Sequence, residues 1–243
     1  MRDLHPVLYI GLPLGSFLLC LLFAFAGSDP YNQYILADEK GYVEQSTVLL
    51  LVPACFLALW MFWKSETFPA GWLRYWSLLL FLGALYFAGE EASWGQHYFG
   101  WSTPEWLDNL NDQGETNIHN THGIFDQTPR ALLSTGALLA ILLPVFLHRK
   151  RKLWNPATDW REWIIPTMAS LPAGIFAFSI GLPQKIYGKY GDKSPDIPEW
   201  FDVMLLRGQH SELKEHFLAV FVFIYILSLF YRYYTFRKKQ GMV

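Results

Sequence analysis

Apolar runs of about 18 to 22 residues recur along this chain, and a helix needs about 20 residues to cross ~30 Å of hydrocarbon. Six runs are read as spans: residues 6–26, 46–63, 73–89, 131–147, 163–182 and 217–231. A chain of 243 residues with 52% hydrophobic and 16% charged residues is compatible with a large soluble domain, so the distribution of the apolar residues decides the class. The expected fold is an all-α integral membrane bundle of about six transmembrane helices with short extracytoplasmic interfacial helices. It forms one polytopic domain over residues 1–243, with outer loops at 27–45, 90–130 and 183–216. Pro166, Pro172 and Pro183 interrupt the fifth run, which is expected to bend where neighbours satisfy the freed carbonyls. Ala24, Phe25 and Ala26 look like a signal-peptide cleavage site, but the apolar stretch exceeds a signal core and is read as a retained span.

Lysine and arginine near span ends mark the cytoplasmic side. Arg2, then Lys64 and Arg74, then Arg149, Lys150, Arg151, Lys152 and Arg161, then Arg232, Arg237, Lys238 and Lys239 fall in alternate segments. Both termini are therefore placed in the cytoplasm. Most acids, and His97, His119, His122, His210 and His216, fall on the opposite side, whereas the inner halves of the spans read as apolar. A net charge of -2 supplies no concentrated basic field, which excludes nucleic acid as a partner. Cys20 and Cys55 lie within spans and read as packing residues.

Candidate chemistry gathers in three places. The third span ends in GEEASWGQHYFG, where Glu90 and Glu91 are costly at the edge of hydrocarbon and should face the bundle interior. On a continuing helix Glu90, Ser93 and His97 share a face, with Trp94 beside them as an interface anchor and Gln96 nearby. In the following loop, Thr103 is a helix cap with Pro104 and Glu105 in the first turn. Further on, Glu115, His119 and His122 at i, i+4 and i+7 would stack a carboxylate and two imidazoles, which zinc, iron or manganese accepts. The third place is LRGQHSELKEHFLAV, where Glu215 and His216 reach the membrane depth of Glu90 and Glu91.

The stretch GEEASWGQ followed by NDQGETNIHN resembles a signature of uncharacterised bacterial multi-pass inner-membrane proteins. There a Glu-Glu-x-Ser-Trp-Gly-Gln segment precedes an Asn-x-Gln-x-Glu-x-Asn-x-His-Asn segment. The match covers roughly residues 89 to 120, and its motif positions are Glu90, Glu91, Ser93, Trp94, Gln96, Asn111, Gln113, Glu115, Asn117, His119 and Asn120. The resemblance implies a bacterial inner-membrane setting and brings no activity. A looser likeness to ceramidase-type intramembrane hydrolases rests on embedded acid, serine and histidine residues whose spacings differ, so it is analogy. No phosphate-binding glycine loop, GxSxG, HExxH or paired CxxC is present.

The leading expectation is a metal-dependent membrane hydrolase acting on a lipid or lipid-linked substrate at the extracytoplasmic face. Glu90, Glu91 and Ser93 are its catalytic candidates, with His97, Glu115, His119, His122, Glu215 and His216 as ligands to a divalent metal. Lys185, Lys189, Arg207, Trp94 and Gln96 would contact substrate. The alternatives are a transporter or proton- or cation-handling protein, for which buried acids and histidines form a relay, and a non-catalytic envelope assembly partner.

Overall fold

A computed structural model describes residues 3–37, 41–108, 114–117, 124–182, 203 and 210–242. In chain order the helices are α1 (Pro6–Ala26), α2 (Ser28–Tyr34), α3 (Tyr42–Trp63), α4 (Leu73–Glu91) and α5 (Gln96–Phe99). They continue with α6 (Glu105–Asp108), α7 (Ile124–Arg151), α8 (Arg161–Ile164), α9 (Leu171–Ser179) and α10 (His210–Lys239). Among the described residues there is no strand. Among the described residues four stretches are long and apolar enough to cross a membrane: Pro6–Ala26, Tyr42–Trp63, Thr128–Arg151 and Glu212–Lys239. The α4 helix has 19 residues, about 28 Å of rise, but Arg74 at one end and Glu90 and Glu91 at the other make it more polar than these.

The axis of the bundle is α10. In its most apolar window 72% of residues are buried, against 33% or less in the other three candidate spans. Phe217, Leu218, Ala219 and Val220 are buried in succession, as expected of a helix that is apolar all round and enclosed by neighbours. Around it, α3 and α9 pack directly, α4 stands on α3, and α7 stands chiefly on α9. A slot therefore remains between α4 and α7, floored by α10. On α1 the buried stripe is Pro13, Ser16, Cys20 and Ala24, small side chains that let the backbone come close to the bundle. Its opposite side presents Val7, Leu14, Leu18 and Leu22, an apolar face suited to lipid.

The fifth apolar run is not a single bent helix. It comprises the end of α8, a 3₁₀ turn at Met168–Ser170 and the nine-residue α9, about 14 Å long. Pro166 is the cause, because it has no N–H to give the carbonyl of Glu162. Two arginines take that role: Arg151 Nη2 donates to the Glu162 carbonyl at 3.0 Å, and Arg232 Nη1 donates to the same oxygen. Arg151 also donates to the carbonyls of Ile165 and Pro166, each at 3.0 Å.

The expectation that this end of the spans is apolar is corrected by the same residues. The Glu162 carboxylate lies 2.9 Å from Arg151 Nε and 3.5 Å from Arg232 Nη1, and Arg232 is only 2% exposed. Ser228 donates to Asp3 at 2.7 Å and contacts Thr167, tying the N-terminal segment to the cluster. Nearby, Arg237 donates to the Lys64 carbonyl at 2.7 Å and pairs with Glu66. The backbone beside Glu66 and then Arg237 hold that carboxyl below its ordinary range. The sequence hid this cluster because each arginine reads as an ordinary basic flank; only the proline-freed carbonyl explains why two of them turn inward.

Removing the carboxylate while leaving both guanidiniums enclosed should cost about 3–5 kcal/mol. Glu162→Ala is therefore expected to lower the thermal midpoint of the detergent-solubilised protein by several degrees; an unchanged midpoint contradicts the pairing.

Candidate functional site

The α4 helix ends abruptly in the sequence Gly89-Glu90-Glu91-Ala92-Ser93-Trp94-Gly95-Gln96. Ser93 and Trp94 both take positive φ, 43° and 54°, a left-handed turn that side-chain-bearing residues adopt at a cost of ~1–3 kcal/mol. The continuing helix that would align Glu90, Ser93 and His97 is therefore not formed. The turn folds Trp94 back over its own helix instead. Its ring lies on Gly89, where an added Cβ would be 2.8 Å from the indole, and Nε1 donates to Glu90 Oε1 at 2.7 Å. Gly89 thus clears the space that lets Trp94 hold the Glu90 carboxylate.

The same turn anchors the loop that follows. Ser93 donates to Glu115 Oε2 at 2.9 Å, and Asn117 Nδ2 donates to both Ser93 and Glu115. Gln96 donates to Thr103 Oγ1 at 2.9 Å and accepts from the Thr116 backbone N–H at 2.5 Å. Trp101 Nε1 donates to Thr116 at 3.1 Å. The two halves of the sequence signature therefore bind each other. Residues 114–117 are not helical, and Gly114 has φ 68°, so the helical face expected to begin at Glu115 does not start there. The polar hooks of Gln96 and Ser93 hold that stretch open. Of the two short helices expected in this loop, the one led by Pro104 is present as α6.

Beside this turn lies a cavity of about 260 Å³ in the slot between α4 and α7. Its walls are apolar, with Leu79, Leu80 and Ala84 on α4, Leu132 and Leu133 on α7, and Leu218 and Val222 on α10. Its polar end is formed by Glu90, Glu91, Arg130 and Glu215. Glu90 and Glu215 are 2% and 5% exposed, so these carboxylates sit in a low-dielectric site where charge must be matched. Arg130 Nη2 lies 2.6 Å from Glu215 Oε1. Glu91, from the end of α4, lines the same polar end of the cavity as Glu215 from α10. At the far end, one helical turn below Leu79 and Val222, Trp76 donates to the Tyr225 hydroxyl at 3.2 Å. Tyr225 in turn donates to the Ile164 carbonyl at 2.6 Å, closing the slot on that side.

His216 has different neighbours from Glu215, although the two are adjacent on α10. Its Nε2 is 2.5 Å from Ser16 Oγ of α1, and its Nδ1 is 3.0 Å from Ser46 Oγ and 3.4 Å from Thr47 Oγ1 of α3. Ser46 and Thr47 both donate to the Val43 carbonyl, so they accept from Nδ1–H. That leaves Nε2 to accept from Ser16, which in turn lies 3.0 Å from the Tyr42 hydroxyl. The geometry thus assigns this imidazole one tautomer in a niche of hydroxyls.

Sequence reasoning brought Glu90, Glu91, Glu215 and His216 to one depth; the three glutamates line the cavity, whereas His216 turns away into the hydroxyl niche of α1 and α3. It missed Arg130, counted only as a loop charge, and the hydroxyls around His216. An arginine immediately before a long apolar run is the signal that a carboxylate should meet it. Ser93, Trp94, Gln96 and Glu115 are joined in the turn and loop. His119, His122, Lys185, Lys189 and Arg207 lie outside the described residues, and His97 is described only as part of the α5 backbone. Among the described residues no three His, Cys, Asp or Glu side chains are gathered closely enough to hold a metal ion. Neither a family model nor any curated protein or solved structure matches this chain.

Gly89→Ala should force Trp94 off its seat and cost about 1–3 kcal/mol, the usual range for overpacking. In Trp94→Ala the same glycine substitution should cost much less, and the double-mutant cycle measures the difference. Equal costs in both backgrounds would show that the two residues do not meet.

Proposed function

We propose that this chain is a multi-pass protein of the bacterial cytoplasmic membrane, with both termini in the cytoplasm. It hydrolyses a lipid or lipid-linked substrate whose hydrocarbon enters the groove between α4 and α7 from the bilayer. The observation that carries this reading is the cavity itself, with apolar walls along three helices and a polar end of buried carboxylates and one guanidinium. A volume of about 260 Å³ is slightly below the ~300–1,000 Å³ usual for small-molecule sites and suits one chain better than two. The orientation follows the basic residues: His148, Arg149, Lys150 and Arg151 end α7, and Arg237, Lys238 and Lys239 end α10. The carboxylates then lie at the extracytoplasmic face.

In this reading Glu90 and Glu91 are the general acid–base candidates, and Ser93 holds the loop through Glu115. Lys185, Lys189 and Arg207 would serve an anionic headgroup. A divalent metal, for which His119 and His122 are the candidate ligands, would supply a polarised water. A second reading, a proton- or cation-handling protein, draws on α10, which carries Glu215, Tyr225 and Arg232 along the bundle axis. Hydrolysis releases a new lipid product in detergent, whereas ion handling requires a sealed vesicle.

Gly83 lines the groove and a Cβ added there meets nothing within 4 Å, so a side chain introduced at this position starts from open space. Gly83→Leu is expected to keep the wild-type thermal midpoint while losing co-purified lipid about ten-fold, roughly 1.4 kcal/mol of binding. Mass spectrometry of extracted lipid checks this, and equal lipid in both proteins would remove the groove as a substrate site.

A further inference from the structure

Resting on the groove reading, we infer that the polar end of the groove seats the primary ammonium head of a single-chain amphiphile, with Glu91 as its carboxylate partner.

Two of the three carboxylates at that end are already matched. Arg130 Nη2 lies 2.6 Å from Glu215 Oε1, and Glu90 accepts from Trp94 Nε1 at 2.7 Å. Glu91 lines the same cavity and is only 8% exposed, yet among the described residues no hydrogen-bond donor or cation meets its carboxylate. An enclosed carboxylate without a partner is costly, and the open side of this one is the cavity. What fills the cavity therefore has to supply the missing donors.

The chemistry of that end selects the head. Glu90, Glu91 and Glu215 face a single Arg130, so an anionic head is repelled and a cationic one attracted. A metal ion is a poor fit, because it draws its ligands to ~2.0–2.6 Å, and among the described residues no three His, Cys, Asp or Glu side chains close on one point. An ammonium carries the charge, brings three N–H donors and meets carboxylate oxygens at ~2.7–2.9 Å. Tyr86 and Phe87, one turn before Glu90 and Glu91, also line the cavity and offer ring faces that attract a cation. A trimethylammonium has the same charge but no donor, so it leaves the hydrogen bonds of Glu91 unmade. The tail lies along Leu79, Leu133 and Val222, and the exposed sides of Leu79 and Leu132 open that path to the bilayer. Of the two acid–base candidates, Glu90 then remains for the chemistry, while Glu91 holds the head.

Native mass spectrometry of the intact protein in mild detergent tests this with single oleoyl or oleyl chains that differ in the head. Lysophosphatidylethanolamine and oleylamine should bind at least about ten-fold more tightly than lysophosphatidylcholine, lysophosphatidylglycerol or monooleoylglycerol, the scale of one hydrogen bond to a charged group. Equal binding of the two amines traces recognition to the ammonium alone, and tighter binding of lysophosphatidylethanolamine traces it to a zwitterionic phospholipid head; both support the inference. Glu91→Gln should bring the preference down to about one-fold while leaving monooleoylglycerol binding unchanged. Equal or tighter binding of the choline or glycerol heads by wild type, or a preference that survives in folded Glu91→Gln, overturns the ammonium site. The wild-type ranking decides even if the variant fails to fold. If Gly83→Leu binds every probe as wild type does, the groove reading fails instead; if it weakens them all and wild type ranks no head above another, the groove stands and the ammonium site falls.

Discussion

A carboxylate within an apolar bundle has to be matched, and the Arg130–Glu215 pair sets where α7 meets α10. Glu215 lies near the start of α10, the most enclosed helix, and is nearly sealed from solvent. Its ion-pair partner is Arg130 from the beginning of α7, and Glu91 from the end of α4 lines the same end of the cavity. Removing a carboxylate from water costs several kcal/mol unless a partner compensates, so the Arg130–Glu215 pair fixes the register of α7 against α10. Because α4 leans on α3 and α7 on α9, the two touch the axis without closing on each other. The groove follows from that arrangement.

The opposite end of the bundle solves a different problem with similar groups. Pro166 interrupts helix formation and strands a carbonyl, and Arg151 and Arg232 cap it while sharing the Glu162 carboxylate. Ionic groups therefore mark both ends of the bundle. Between them lie the apolar groove walls and the hydrogen bonds that run from Trp76 to Tyr225 and on to the Ile164 carbonyl. Fixed ends with a loosely packed lateral opening suit a protein that admits a chain from the side while keeping its helices in place.

How much of this was legible in the sequence depends on the range of the interaction. The long apolar runs disclosed the helical membrane class because hydrocarbon thickness imposes a length that periodicity cannot disguise. The helix rise puts Glu90, Glu91, Glu215 and His216 at similar counts along their helices, and the three glutamates line one cavity while His216 does not. The fifth run misled because proline reads as a kink when its neighbours are unknown, whereas here the chain breaks into α8, a 3₁₀ turn and α9. The turn at Ser93 and Trp94 was hidden for another reason. Local propensity gives no warning that Gly89, five residues earlier, leaves room for an indole to fold back. The hydroxyl niche of His216 depends on Ser16, nearly the full length of the chain away, and no spacing rule reaches that far.

The central claim is that hydrocarbon enters laterally between α4 and α7 and meets buried carboxyl groups at one end. An electron cryomicroscopy map of the protein in a lipid nanodisc tests it directly. The account requires elongated density running past Leu79, Leu133 and Val222, with its polar end beside Glu91, Glu215 and Arg130. Direct packing of α4 on α7 with the slot eliminated, or Arg130 and Glu215 on separate surfaces, would contradict it.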